Sequence, residues 1–205
     1  MDYVSHFATV AGIGLLAALS PGPNFVMITT QALASRRSGL WAAAGVAAAS
    51  LTWAMAGAMG LALVVAQVAW LYEALRIAGA LYLVYLGLRM LWSVRPGTGR
   101  AIPEGPRLSG AAAFRRGYVV NMANPKSAAF VAGFYAAVLP ADAPGWLFPA
   151  TGLTVAGVSA AWSFTLALLL SAEHIRRGFL RLRRGITALL GVALVGLGAR
   201  LALTR

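Results

Sequence analysis

The stretch "LAALSPGPNFVMITTQAL" (residues 16–33) places two prolines, a glycine and an asparagine inside an otherwise apolar run. A proline removes one backbone donor and displaces the carbonyl of residue i−4, so Pro21 and Pro23 leave backbone groups without helical partners. In a membrane such backbone survives only where protein buries it or where it lines a wet cavity. We therefore expect a broken helix here that serves a binding function; the alternative is a packing kink.

The composition surrounding this stretch is that of a membrane protein. Of the 205 residues, 60% are hydrophobic and 11% are charged, against roughly 25% charged in soluble domains. Six apolar stretches each reach the roughly 20 residues that cross the hydrocarbon of a bilayer. They cover residues 4–34, 40–66, 69–92, 114–139, 146–171 and 185–203. The fold class that we predict is all-α and integral to the membrane, with six transmembrane helices.

The net charge of +12 is distributed along the chain in a way that predicts topology. Three of the five loops between the predicted spans are rich in arginine, and the other two contain no Lys or Arg. The positive-inside rule makes the basic loops cytoplasmic and puts both termini outside. The charge therefore indicates contact with the lipid bilayer and no nucleic-acid partner. The basic loops carry Arg36, Arg37, Arg95, Arg100, Arg107, Arg115, Arg116, Arg176, Arg177, Arg181, Arg183 and Arg184.

A polar segment divides this single domain of residues 1–205 into two halves. We place the halves at residues 1–92 and 114–205, on either side of a cytoplasmic linker at 93–113 that is rich in Gly, Pro and Arg. Three spans per half invert the second half relative to the first, as in many secondary transporters. The first span of the second half contains "NMANPKSAAF" (residues 121–130), so helices 1 and 4 are both expected to be broken at proline motifs.

Polar side chains flank both expected breaks. Asn24, Asn121 and Asn124 each donate and accept hydrogen bonds, which suits either the unwound backbone or a ligand. Lys126 lies ten residues beyond Arg116, or about 15 Å deeper along a helix. A charge at that depth is a functional hypothesis: Lys126 binds a substrate carboxylate or releases a proton, and the alternative is that it snorkels to the inner surface. Trp53 and Trp162 also fall deep, where they either line a cavity or pack.

Several other functions lack the residues that they need. The chain has no cysteine, and its two histidines, His6 and His174, form no recognisable cluster with its acids. We therefore expect no metal site, no cofactor and no catalytic residues. An intramembrane enzyme or a structural membrane protein remains the alternative to a transporter.

The motifs "SPGPNF", "GALYLVYLGLRML" and "RRGYVVNMANPKSAAF" occur in this order and resemble the LysE/RhtB family of bacterial amino-acid exporters, closest in appearance to the homoserine/threonine exporter branch. The likeness covers essentially the whole chain. It places Pro21, Gly22, Pro23 and Asn24 at one signature position of the family, and Asn124, Pro125 and Lys126 at the other. Related exporters often carry Asp where this chain has Asn24.

The resemblance implies the export of a small neutral amino acid, such as threonine or homoserine, across the bacterial inner membrane by proton antiport. With Asn121 added, the two signature positions form the expected substrate site between the halves. Export of another small solute or a cation is the alternative within transport. The residues leave open the amino acid, the proton carrier and homo-oligomer formation.

Overall fold

The computed structural model describes residues 2–20, 22–67, 69–94, 106–139, 142–171, 185, 187–189, 191–196, 198–200 and 203. Within these ranges the chain forms helices, turns and bends, and no strand. Three features predicted from the sequence lie outside the described residues: Pro21, most of the linker at 95–105, and the basic loop at 172–184.

Seven helices follow one another along the chain, and an apolar helical segment lies over Thr187–Arg200. The seven are α1 (Tyr3–Leu19), α2 (Pro23–Ala34), α3 (Arg36–Gln67), α4 (Ala69–Ser93), α5 (Gly110–Met122), α6 (Pro125–Val138) and α7 (Leu147–Leu170).

Local sequence explains where several helices begin. The side chain of Asp2 accepts a hydrogen bond from the amide of Val4 at 3.1 Å and caps α1. Ser109 caps α5 in the same way, accepting from the amide of Ala112 at 3.4 Å. Because Ser109 supplies this cap, α5 starts at Gly110 rather than at the predicted boundary of 114.

Two of the described helical stretches are individually long and apolar enough to cross a membrane, Arg36–Gly60 and Leu147–Leu170. The pair α1 and α2 meets the same test together, with a bend of 64° between the two helices. Ile77–Ser93 and Thr187–Arg200 are shorter apolar helices. The total of six spans therefore stays a prediction.

Helices α3 and α7 share the most extensive contact, and the other helices surround them. α1 packs against α7 and α5 against α3, whereas α2 packs against both with the larger contact on α3, and α6 packs mainly against α4. Side chains mainly from α1, α4, α6 and α7, with Ala58 of α3 and Leu194, form the largest core among the described residues, which includes Val10, Leu83 and Phe134.

α4 crosses α6 at a backbone-to-backbone contact that only glycine permits. A Cβ atom on Gly79 would clash with the backbone of Gly133, and one on Gly133 would clash with Gly79. Small residues of this kind let membrane helices approach closely. The contact fixes the position of α6, and with it the position of Lys126.

Candidate binding site between the helix breaks

The ends of four helices meet at two short breaks. α1 ends at Leu19 and α2 begins at Pro23, while α5 ends at Met122 and α6 begins at Pro125. Pro23 and Pro125 occupy the first turn of their helices, where the missing amide removes no helical hydrogen bond. Each break therefore brings a helix carboxyl end close in sequence to a helix amino end.

The break between α1 and α2 is called the first break, and the break between α5 and α6 the second break. Lys126 lies at the second break, and its ammonium group bonds to the first. Its Nζ donates to the carbonyl oxygen of Ala17 at 2.8 Å and to that of Ser20 at 3.0 Å. The last carbonyls of a helix lack partners within the helix and form the negative end of its dipole. Lys126 therefore satisfies the carboxyl end of α1, and its side chain reaches from α6 to another helix.

Three asparagines connect the two breaks to each other. Nδ2 of Asn24 donates to Oδ1 of Asn121 at 2.8 Å, and Nδ2 of Asn124 donates to Oδ1 of Asn24 at 3.3 Å. Asn124 also caps α6, because its Oδ1 accepts from the amide of Lys126 at 3.0 Å. These bonds link α2 to the end of α5 and to the start of α6.

Asn121 lies at the centre of this network and is 1% exposed. Its Nδ2 donates to the carbonyl of Val46 at 2.8 Å and to Oγ of Ser50 at 2.9 Å. Its Oδ1 also accepts from Oγ of Ser127 at 2.7 Å. The backbone carbonyl of Asn121 accepts from the indole of Trp53 at 3.3 Å. Asn121 thus joins both breaks to α3.

A cavity of about 90 Å³ opens where these groups meet, several times the roughly 10–15 Å³ that one water requires. Lys126 is the ionisable side chain among the described residues that line it. The described residues contain no group of three His, Cys, Asp or Glu that could bind a metal. The polar lining consists of Ser20, Asn24, Ser50, Asn121, Asn124, Lys126, Ser127, Ser159 and Ser163, and the apolar lining includes Ala17, Phe25, Ile28, Phe130, Val155 and Leu166.

Comparison with known proteins assigns the family. The family described as "LysE type translocator" matches residues 15–205. The chain belongs to the LysE family. The resemblance predicted from the sequence motifs is thereby confirmed. No solved structure matches the chain.

Relatives of this LysE-family chain align over nearly its whole length. The threonine efflux protein of Escherichia coli K12 is 26% identical over 97% of this chain and 98% of its own length. The threonine efflux protein of Salmonella typhi is 27% identical with the same coverage. A leucine efflux protein of Klebsiella pneumoniae is 29% identical over 97% of this chain and 95% of its own length.

The LysE-family structure brings most of the predicted site residues together. Gly22, Asn24, Asn121, Asn124 and Lys126 all line the cavity. Pro23 and Pro125 begin their helices and are not among the described lining residues, so their contribution is to the backbone.

Sequence reasoning missed the serines that line the cavity of this LysE-family chain. They are Ser20, Ser50, Ser127, Ser159 and Ser163. These serines lie within the predicted apolar spans, where a hydroxyl group needs a hydrogen-bond partner, and this position could have marked them as candidate site residues. Trp53 and Trp162, for which packing and cavity lining were both open, line the cavity.

Proposed function

We propose that this chain is a secondary active exporter that carries a small neutral amino acid, such as threonine or homoserine, out of the cytoplasm in exchange for protons. Membership of the LysE family and the names of the threonine and leucine efflux relatives support an amino-acid substrate. An exporter releases its substrate chemically unchanged, which agrees with our expectation that the chain is not an enzyme.

The observation that carries this proposal is the arrangement of opposite charges around one cavity. The ammonium of Lys126 and the amino ends of α2 and α6, marked by the caps Gly22 and Asn124, are positive. The carbonyls of Ala17 and Ser20 at the carboxyl end of α1 are negative. An amino acid carries one carboxylate and one ammonium, so a zwitterion matches both ends.

Binding would then proceed as an exchange of partners. Release of a proton from Lys126 to the cytoplasm would free the carbonyls of Ala17 and Ser20, and the substrate carboxylate would bind at the amino ends of α2 and α6. The substrate ammonium takes the place that Nζ leaves at the carbonyls of Ala17 and Ser20. Pro21, Gly22, Pro23, Asn24, Asn121, Asn124, Pro125 and Lys126 form the proposed site, with the prolines shaping the backbone.

The same geometry makes Lys126 the candidate proton carrier. Among the described residues that line the cavity it is the ionisable side chain, so a proton can be released and taken up there. Proton uptake by Lys126 from the outer side would return its ammonium to the carbonyls of Ala17 and Ser20 and displace the substrate there, and release of that proton to the cytoplasm would reset the site for the next substrate. This coupling gives the proton antiport that we propose.

Alternating access requires two halves that move relative to each other. We propose one domain of six spans, in which residues 1–92 and 114–205 are inverted halves joined by the linker at 93–113, with helices 1 and 4 broken at their proline motifs. Part of the packing agrees with such a relation between the halves, because α3 contacts α5 and α6 while α7 contacts α1 and α2; the more extensive contact of α2 with α3 has no such counterpart between α6 and α7 in the described part of the chain. The cavity is lined by residues of both breaks, one in each proposed half.

We further propose an inner-membrane location with both termini outside, which rests on the arginine-rich loops. The chain has no cysteine, so a single introduced cysteine reports its own side of the membrane. Arg107→Cys should react with an impermeant maleimide only from the cytoplasmic side, and Asp142→Cys only from outside. The reverse result would invert the topology.

The test of function is uptake of a panel of labelled amino acids into proteoliposomes with and without a proton gradient. Wild-type protein should accumulate one neutral amino acid only with the gradient, and Lys126→Gln should lose this accumulation. Arg115→Gln is the matched control, because it removes a positive charge at an exposed position of α5. Accumulation of no amino acid would redirect the proposal to another small solute or a cation.

A further inference from the structure

Two serines of α7, Ser159 and Ser163, lack the local hydrogen bond to their own helix that hydroxyl groups in membrane helices commonly form. Thr154 and Ser171, on the same helix or at its end, donate to the carbonyls four residues earlier, at 2.9 and 2.6 Å. This local bond satisfies a hydroxyl without any tertiary partner. Neither Ser159 nor Ser163 donates to the carbonyl four residues earlier, and both serines line the cavity. Ser159 instead bonds to Ser50 of α3, and the Ser163 hydroxyl bonds to no described residue.

The hydroxyl of Ser159 belongs to a chain of hydrogen bonds with one spare hydrogen. Its Oγ lies 2.8 Å from Oγ of Ser50, and Ser50 Oγ also accepts from Nδ2 of Asn121 at 2.9 Å. Each hydroxyl supplies one hydrogen, and the bond between the two serines uses one. Neither serine donates to any other described group, so one hydroxyl hydrogen of the pair is available to a ligand.

Ser163 is 3% exposed, and its hydroxyl forms no hydrogen bond with any described residue. Leaving a buried polar group without a partner is unfavourable. Since Ser163 lines the cavity, the partner of this hydroxyl has to come from the cavity contents. Water can fill that role when the site is empty, and a ligand hydroxyl can fill it when the site is occupied.

The two serines form a polar strip on an otherwise apolar helix face. Val155, Ser159, Ser163 and Leu166 follow the spacing that puts residues on one side of a helix, and all four line the cavity. Val155 and Leu166 bound the strip at its two ends. A short branched side chain that carries one hydroxyl and one methyl group would meet both kinds of surface.

We propose that Ser159 and Ser163 bind the side-chain hydroxyl of the substrate, and that this exporter therefore selects hydroxylated amino acids over apolar ones of equal size. The inference rests on the proposed function, in which the amino ends of α2 and α6 and the carbonyls of α1 hold the carboxylate and the ammonium of the substrate. A site that hydrogen-bonds a substrate hydroxyl rejects the analogue that lacks it, since the protein groups are then unpaired. Threonine is the probe that fits this strip.

The experiment compares threonine with valine, which replaces the hydroxyl by a methyl group at almost the same volume. In wild-type proteoliposomes the kcat/KM of transport should favour threonine by about tenfold or more. Ser163→Ala should lower the threonine value by about tenfold and leave the valine value nearly unchanged. Ser171→Ala is the matched control, because that hydroxyl bonds locally to the carbonyl of Ala167.

The outcomes separate this inference from the proposed function. Equal transport of threonine and valine by wild-type protein, or equal loss of both in Ser163→Ala, would overturn the hydroxyl assignment while leaving amino-acid export intact. Wild-type protein that transports no amino acid would overturn both. If Ser163→Ala fails to accumulate in the membrane, the wild-type ratio and the same measurement on Ser159→Ala decide the question.

Discussion

The two helix breaks are built from similar residues but are stabilised differently. At the break between α5 and α6 the partners are local: the amide of Ala123 donates to the carbonyl of Val119 at 2.8 Å, and Asn124 caps α6. At the break between α1 and α2, no side chain caps α2. The carbonyls of Ala17 and Ser20 accept instead from a lysine more than a hundred residues away.

This difference makes the first break dependent on the second. The second break satisfies its amides locally, receives further donors from Trp53 and Tyr82, and is positioned by the contact of Gly133 with Gly79. At the first break, the carbonyls of Ala17 and Ser20 accept hydrogen bonds from a cation, which is Lys126 in the structure. We infer that the second break acts as the fixed part of the site and the first break as the part that responds when Lys126 changes partner.

The largest effect should come from Lys126→Met, which keeps the aliphatic stem and removes the ammonium. The carbonyls of Ala17 and Ser20 then lose their donor, and an unsatisfied buried carbonyl costs about 1–3 kcal/mol. We expect transport to fall to background and thermal unfolding in detergent to occur at lower temperature.

Lys126→Arg is the control for this change, because the guanidinium keeps the charge and the donors. It should retain most of the stability that Lys126→Met loses. Normal stability and normal transport in Lys126→Met would contradict the dependence of the first break on this residue.

A smaller effect is expected at the second break from Asn124→Ala. This change removes the cap of α6 and the bond to Asn24, and loss of a cap costs about 1 kcal/mol. Asn124→Asp keeps the acceptor for the amide of Lys126 and should recover the cap contribution. Unfolding measurements on both variants check this prediction, and identical losses would show that capping does not stabilise the second break.

The smallest effect should come from Tyr82→Phe. The hydroxyl of Tyr82 donates to the backbone carbonyl of Lys126 at 3.1 Å, which ties α4 to the start of α6. Removing a single neutral hydrogen bond costs about 0.5–1.5 kcal/mol. Transport should persist, because the first break keeps its partners; loss of transport with unchanged stability would show that α4 takes a direct part in the site.

Much of the candidate site could be predicted from residue types and spacing. The proline motifs marked where α2 and α6 begin, at Pro23 and Pro125. That the charge of Lys126 is functional stays a prediction. The start of α5 at Gly110 was missed, since the cap at Ser109 precedes the apolar stretch used to place the boundary. The cavity serines were missed because a hydroxyl in an apolar helix is by default satisfied by its own backbone.

The sequence alone determined the membrane class, the family and the positions of the proline motifs, because composition and local backbone chemistry act over short stretches of chain. Only the tertiary structure decided which groups meet across those stretches. Lys126 bonds to Ala17 and Ser20, and Ser50 bonds to Ser159, at separations of 106 to 109 residues. The physical reason is that unpaired backbone and hydroxyl groups signal that a partner is required, whereas helix packing determines which partner comes within bonding distance.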